Sequence, residues 1–199
     1  MANNLAYAVN DDDVIDAPRT ELIGGQVFMQ AAPAVNHNRV AGNIYYMFKS
    51  FLRGKRCEAF SDGVDVHFDA ENTFRPDVMI VCRKDIIKRD GIHGAPDLVV
   101  EVLSRSTARF DRNEKKTVYE KYGVKEYWLV NYMDKTIEVH LLHDGKFVLD
   151  NVYAVFPAWE WNTLSDKEKE RQKLQFKVSL YDDFTVDIRD VFERVDLEG

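Results

Sequence analysis

The sequence predicts an α+β protein, α/β/α-like in its layers, in which a mixed β-sheet is flanked by helices. Three observations lead to this prediction. Segments with alternating or continuous apolar residues, which are typical of strands, outnumber segments with helical spacing. The two clearest helical segments separate groups of strands, so a regular βαβ alternation is not indicated. The glycine-rich sequences GxGxxG and GxxxxGK[ST] are absent from the sequence, which gives little support to a nucleotide-binding fold.

The predicted elements follow one another without repeats or low-complexity tracts. Residues 21–30 predict two short strands around a Gly-Gly turn. Apolar residues at helical spacing predict a helix over 37–52, with Asn36 as its cap and Gly54 at its end. A second amphipathic helix is predicted over 107–122. Further strands are predicted at 57–68, 74–82, 97–103, 126–132, 136–143 and 146–153, with a charged helix or linker at 165–175 and a strand and helix within 178–195.

Length and composition predict one domain with a real core. The chain has 199 residues, 45% of them hydrophobic, which suits a single compact domain over 18–199, with residues 1–17 as a flexible acidic arm. We expect no membrane association, because no apolar run approaches the roughly 20 residues of a membrane span. Cys57 and Cys82 lack zinc-ligand spacing and are predicted to be reduced thiols of a cytoplasmic protein.

The charge of the chain is unevenly distributed. A net charge of −7 argues against a protein that coats nucleic acid through bulk electrostatics. Residues 105–125 nevertheless contain seven basic and three acidic residues. This segment is either a solvated helix face or a phosphate-binding surface, in which case Arg105, Arg109 and Arg112 are the predicted phosphate contacts.

Glu101 is the most unusual residue of the sequence, because it lies within an apolar run of buried-strand character. A buried carboxylate costs several kcal/mol unless a positive charge compensates it. Asp97 is four residues away on the same predicted strand, about 13 Å, too far to share a cation with Glu101. Asp77 is on another strand and can converge with Glu101 if the strands are neighbours. With the backbone carbonyl of Val102, these oxygen ligands favour Mg²⁺ or Mn²⁺.

The second predicted helix adds a lysine to these carboxylates. Asp111 and Lys115 are four residues apart, hence on one helix face, and Tyr119 continues the row. They are either an ordinary surface ion pair or, beside a metal site, a pair in which Lys115 stabilises charge on a phosphate. Glu21 is a weaker candidate, as a further acidic ligand or a sheet-edge residue. His37 is another, as a phosphate contact or a polar cap.

Three stretches of the sequence resemble one family. "RPDVMIV" (75–81), "GAPDLVVEVLSRST" (94–107) and "DRNEKKTVYEKYGVKEYWLV" (111–130) are similar to the Uma-two family of restriction-endonuclease-like nucleases. The resemblance implies a restriction-endonuclease-like fold and the superfamily pattern Asp…Glu-x-Lys. Asp77 and Glu101 match the two acids, whereas Leu103 occupies the lysine position. Within the family the lysine is on the following helix, where Lys115 matches it.

We therefore expect an Mg²⁺-dependent endodeoxyribonuclease. Asp77 and Glu101 would bind the metal, and Lys115 would help to deprotonate or position the attacking water and offset the developing negative charge. The substrate implied by the resemblance is DNA, and a homodimer is expected because restriction-like folds often form one. Two alternatives stay open from the sequence: a catalytically inactive protein that keeps the fold and binds DNA or protein, and a metal-dependent hydrolase of another phosphate ester.

Overall fold

The computed structural model describes residues 19–195 and confirms the predicted fold class, mixed strands flanked by helices. The predicted arm at 1–17 lies outside these residues. The described strands are β1 (Thr20–Ile23), β2 (Gln26–Met29), β3 (Glu58–Ser61), β4 (Val66–Asp69), β5 (Asn72–Phe74), β6 (Val78–Val81), β7 (Ile87–Lys88), β8 (Gly91–His93), β9 (Leu98–Val102), β10 (Glu126–Asn131), β11 (Thr136–His143), β12 (Lys146–Ala154), β13 (Gln175–Lys177) and β14 (Thr185–Asp187).

The helices include the two long ones that the sequence predicts. Helix α1 is Val35–Phe51. Helix α2 is a continuous run of three parts, namely Ala108–Phe110, a π-helical turn at Asp111–Lys115, and Lys116–Tyr122. Gly123 ends it in a left-handed conformation with φ 85°, as predicted for a helix stop. The remaining described helices are a 3₁₀ turn (Lys84–Ile86), α3 (Ala158–Trp161), α4 (Asp166–Arg171) and α5 (Ile188–Val191).

The central sheet has the strand order β12-β11-β10-β9-β6-β3. Strands β9 and β10 are parallel and are joined through α2, whereas the other pairs of this sheet are antiparallel. Side chains of successive residues alternate between the two faces. The face with Val100 packs on α1 and the C-terminal elements. The opposite face, with Val99 and Leu103, packs on α2 and the outer sheet, and alternation places Glu101 on this face.

The outer sheet has the order β2-β1-β5-β4-β8-β7 and packs beside α2. Its strands are short, and β7 and β8 lie between the predicted strands at 74–82 and 97–103, where the sequence predicts no strand. Two and three residues are too few to show a hydrophobic period, which explains why this hairpin is not predicted. Within residues 19–195, no helix is long and apolar enough to cross a membrane.

The cysteine prediction was wrong. Cys57 and Cys82 form a disulfide. The register of β3 and β6 pairs Glu58 with Val81, so the two cysteines occupy opposite positions just beyond the paired strands. Sequence spacing cannot show this proximity, because it arises from strand pairing. The inference of a reducing compartment from free thiols therefore no longer stands, and a cytoplasmic location stays a prediction.

The helix cap was also predicted wrongly. Helix α1 begins two residues before 37, with Ala34 as its N-cap, so Asn36 is inside the first turn. Its side-chain oxygen accepts a hydrogen bond from Arg39 instead. The helix therefore starts without a side-chain cap.

His140 provides a test of the packing on the central sheet. It lies on β11 opposite Tyr127, is 5% exposed, and its Nδ1 lies 3.3 Å from Lys116 Nζ. Burial lowers the pKa of His140 below its ordinary 6.5, and Lys116 and Arg112 lower it further, against the opposing effect of Glu138. The unfolded chain therefore takes up this proton at a higher pH than the folded chain.

We predict that the free energy of unfolding falls on acidification from pH 6.5 down to the lowered pKa of His140, because protons bind preferentially to the unfolded chain. His140→Gln should flatten this part of the pH profile measured by urea unfolding. His143→Gln, at an exposed position on the same strand, is the matched control. Parallel profiles for wild type and His140→Gln would contradict the prediction.

Candidate functional site

The pairing of β6 with β9 brings Asp77 next to the strand that carries Glu101. Val78 pairs with Val100, and Asp77 directly precedes β6. Asp77 Oδ2 accepts a hydrogen bond of 2.7 Å from the backbone N–H of Val102. The condition set by the sequence, that the two strands be neighbours, is thus met. The antiparallel pairing of β6 with β9 therefore fixes the relative positions of Asp77 and Glu101.

The π-helical turn of α2 directs Lys115 to the same place. Lys115 is 2% exposed, and its Nζ lies 2.7 Å from Glu101 Oε1, 3.1 Å from Glu21 Oε1 and 3.2 Å from Asp111 Oδ1. Side chains four apart lie on one side of the helix, and π turns are frequent at functional sites. The alternative of a surface pair for Asp111 and Lys115 is excluded, because both side chains are buried.

Hydrogen bonds from neighbouring elements hold the acids in position. Tyr119 donates its hydroxyl to Glu101 Oε1 at 2.6 Å, and the backbone N–H of Arg75 donates to Glu21 Oε1 at 2.8 Å. Tyr127 donates its hydroxyl to the backbone carbonyl of Asp111 at 2.9 Å, which ties the π turn to the central sheet. The two tyrosines are fully buried, and their hydroxyl groups position site residues.

The site has more negative than positive charge. Glu21, Glu101 and Asp111 surround the ammonium group of Lys115, and Asp77 adds a fourth carboxyl group in the same cavity. Burial raises the pKa of Glu101, Lys115 opposes this, and the other three acids raise it again, so that it lies well above its ordinary value. Burial lowers the pKa of Lys115, but the acids, Glu101 first, outweigh burial and raise it well above its ordinary value. Lys115 is therefore an ammonium group at neutral pH.

His37 extends the site on the side of α1. Its Nε2 lies 3.4 Å from Asp77 Oδ2. Burial lowers the pKa of His37, but the hydrogen bond and charge of Asp77 and the backbone of Val102 raise it above its ordinary value. The ring also makes an edge contact with Tyr132. His37 thus contacts one of the two predicted metal ligands.

The donor set fits a hard divalent cation. Among the described residues, the contacts of Asp77 fall on Oδ2 and those of Glu101 on Oε1, which leaves Oδ1 and Oε2 to face a ligand. Asp111 Oδ1 is buried and lies near Lys115 without hydrogen-bond alignment to any described residue. Carboxylate and carbonyl oxygens are the ligands that Mg²⁺ and Mn²⁺ prefer. A dication would also offset the excess negative charge.

These side chains line one cavity of about 220 Å³. Its wall includes His37, Asp77, Glu101, Val102, Asp111 and Lys115. Sequence reasoning did not assign Tyr132, Arg19 or Arg75 to the site, although all three line the cavity. The two arginines pair with acids, Arg19 with Asp62 and Arg75 with Asp65. Arg19 and Arg75 each stand beside a proline, and Tyr132 follows a strand. None of the three is part of a sequence pattern that indicates a functional site.

The three predicted phosphate contacts differ in their surroundings. Arg105 is exposed in the turn after β9. Arg109 is exposed and lies 3.5 Å from Glu114. Arg112 pairs with Glu138 at 2.7 Å. Arg105 lies between Ser104 and Ser106 in the sequence, and both serines line the cavity, as does Thr107.

Asp97 lies at the opposite end of β9 from Val102, in agreement with the distance estimated from the sequence. Its Oδ2 accepts a hydrogen bond from the backbone N–H of Cys82 at 2.7 Å, and its Oδ1 pairs with Lys125 at 2.8 Å. Asp97 therefore fixes strand ends and does not line the acidic cavity.

A mixed sheet flanked by helices, with Asp77 and Glu101 on neighbouring strands, agrees with the restriction-endonuclease-like fold that the resemblance implies, whereas the lysine is on the following helix. The chain belongs to the Uma2 family, described as "Putative restriction endonuclease", whose family model matches residues 12–165. The family resemblance stated from the three sequence stretches is thereby confirmed.

The chain is also similar to individual proteins. The chain is 29% identical over 139 residues to the uncharacterized protein slr1290 of Synechocystis sp., covering 67% of this chain and 72% of that protein. It is 27% identical over 124 residues to the uncharacterized protein sll1609 of the same organism, covering 60% and 70%. The fold is similar to the crystal structure of a "putative nuclease belonging to DUF820" from Anabaena variabilis, with a TM-score of 0.61, 18% identity, and coverage of 89% and 92%.

We predict that Lys115→Met lowers the free energy of unfolding by about 3–5 kcal/mol in EDTA at pH 7, because it leaves buried carboxylates without a cation. Lys121→Met is the matched control, since Lys121 is on the same helix with a side chain 65% exposed. Urea unfolding followed by circular dichroism measures both. An equal effect of the two substitutions would show that Lys115 does not balance the buried acids.

Proposed function

We propose that the protein is a metal-dependent endonuclease that hydrolyses phosphodiester bonds of DNA. The observation that carries the proposal is a buried ammonium group, Lys115, bound to Glu101 in the cavity that Asp77 also lines. Membership of the Uma2 family supports a nuclease at a coarse level. The fold similarity to the "putative nuclease" from Anabaena variabilis supports the same class.

Asp77, Glu101 and the backbone carbonyl of Val102 would hold the cation, with Mg²⁺ or Mn²⁺ as the candidates. When bound, such an ion supplies charge stabilisation for a phosphate and an acidified water. Glu21 and Asp111 would contribute by position, because both lie within 3.2 Å of Lys115 Nζ and hold that group against Glu101.

The proposed role of Lys115 is that of a charged hydrogen-bond donor. Its raised pKa makes it a poor general base, so positioning and charge stabilisation are favoured over proton abstraction. His37, whose pKa is also raised, would keep Asp77 ionised and oriented, and as a lining residue of the cavity it would contact a phosphate.

DNA is the proposed substrate, and Arg105 is the phosphate contact that the surroundings favour. Arg109 and Arg112 are already paired with Glu114 and Glu138, so a phosphate would have to compete with these acids. A homodimer is part of the proposal, because two sites related by a two-fold axis suit the two strands of a duplex. The edge strand β12 exposes apolar Val148 and Val152, which such an interface could cover.

Nicking of supercoiled plasmid tests the proposed activity. Wild type should cleave with Mg²⁺ or Mn²⁺ and not with EDTA. We predict that Asp77→Asn and Lys115→Met each lower the rate by at least about 100-fold, by removing a metal ligand and a charge-stabilising donor. Lys121→Met should cleave like wild type, since Lys121 is an exposed lysine outside the cavity.

Each other outcome is informative when circular dichroism shows the variants to be folded. Loss in Asp77→Asn with full activity in Lys115→Met would keep the metal site and reject the role of Lys115. Absence of cleavage by wild type under any metal, on DNA of many sequences, would contradict the proposal. In that case DNA retention in a gel-shift assay would favour the alternative of an inactive DNA-binding protein.

A further inference from the structure

Two histidines lie side by side on neighbouring strands of the outer sheet. The parallel register of β4 and β8 pairs His67 with His93, and the ring centroids are 4.8 Å apart. Residues paired in this way present their side chains on the same face of a sheet. Asp90 lies in the turn between β7 and β8, and its Oδ1 is 3.1 Å from His93 Nε2. The three side chains come from two strands and one turn and meet at one point.

We propose that His67, Asp90 and His93 bind a divalent transition-metal cation of the Zn²⁺ type. None of the three lines the acidic cavity, so this site is separate from the proposed active site. Two imidazoles and one carboxylate are ligands of Zn²⁺, Co²⁺, Ni²⁺ and Cu²⁺, whereas Mg²⁺ prefers oxygen ligands alone.

The spacing of the donor atoms fits such an ion. One candidate ligand atom from each of the three residues lies within 4.8 Å of the other two. Tetrahedral zinc with bonds of about 2.0–2.1 Å places its ligand atoms about 3.3 Å apart. The pair of Asp90 and His93 is already at this spacing. To bring all three ligand atoms to this spacing, Asp90 and His93 need only rotate their side chains. Both can do so, since these side chains are 70% and 45% exposed.

His67 has an unused nitrogen at this position. Its Nδ1 lies 3.2 Å from Thr73 Oγ1. Its Nε2 is buried and has no hydrogen-bond partner in the described part of the chain. When Nδ1–H donates to the threonine hydroxyl, the lone pair is on Nε2. Metal-binding histidines have the same arrangement, in which one ring nitrogen donates a hydrogen bond to a neighbouring group and the other binds the metal. A buried nitrogen without a partner is otherwise unfavourable.

Gly91 allows the hairpin to approach His67 this closely. It has φ 147° and directly follows Asp90. A Cβ at this position would lie 2.5 Å from the backbone oxygen of Asp65 and 3.1 Å from His67 Nε2. The β7–β8 hairpin thus sits against β4 with no room for a side chain. A cation held by all three ligands would fasten this hairpin to β4, with a water in the fourth position.

Zn²⁺ titration followed by calorimetry tests the site. The chain should be free of affinity tags, its disulfide intact, and Mg²⁺ present in excess to occupy the acidic cavity. We predict one tight Zn²⁺ site per chain in wild type, weakened at least tenfold in His93→Gln and in Asp90→Asn. His143→Gln should bind like wild type, because it removes an exposed histidine outside the cluster. Asp77→Asn should also retain the site, which separates it from the acidic cavity.

Thermal unfolding gives a second readout. Zn²⁺ should raise the melting temperature of wild type and of His143→Gln, but not that of His93→Gln. The proposal is overturned if wild type binds no Zn²⁺, if His93→Gln binds it as tightly as wild type, or if Asp77→Asn abolishes binding. The proposed nuclease activity is unaffected by any of these results, since it depends on other residues.

Discussion

The burial of the Lys115 ammonium group against the carboxylate of Glu101 is the interaction on which the rest of the site depends. The two groups are 2.7 Å apart and nearly inaccessible to water, so each would be strongly unfavourable without the other. Glu101 is on β9 and Lys115 is on α2, so the ion pair also joins α2 to the central sheet. The three further acids exceed what one lysine balances, and this excess is the physical basis for the cation proposed above.

Much of the site could be predicted because it follows from strand geometry. The spacing of side chains along a strand separates Asp97 from Glu101, and the structure places Asp97 at the far strand end, where it pairs with Lys125. Neighbouring strands bring Asp77 to Glu101, as expected. Leu103 occupies the position where the superfamily pattern has its lysine. It is 3% exposed and packs in the core beside α2, and Lys115 reaches Glu101 from the helix instead.

The parts that could not be predicted depend on contacts between segments that are distant in sequence. The disulfide of Cys57 and Cys82 requires the register of β3 with β6. The pairing of Arg112 with Glu138 requires α2 to lie over β11. The β7–β8 hairpin is too short for a hydrophobic period to appear. In each case local sequence is compatible with several outcomes, and tertiary packing selects one of them.

The π turn at Asp111–Lys115 has a consequence for how this chain can change length. A π turn corresponds to one extra residue in an α-helix, and each residue of an α-helix advances the face by about 100°. The wider turn absorbs the rotation of its extra residue, so the helix on either side of it keeps its phase. Deleting one residue here would restore a regular helix and change the relative positions of Asp111 and Lys115 within the turn. Substitutions at the exposed positions of the turn leave these positions intact, so the number of residues in the turn is more constrained than the identity of its exposed residues.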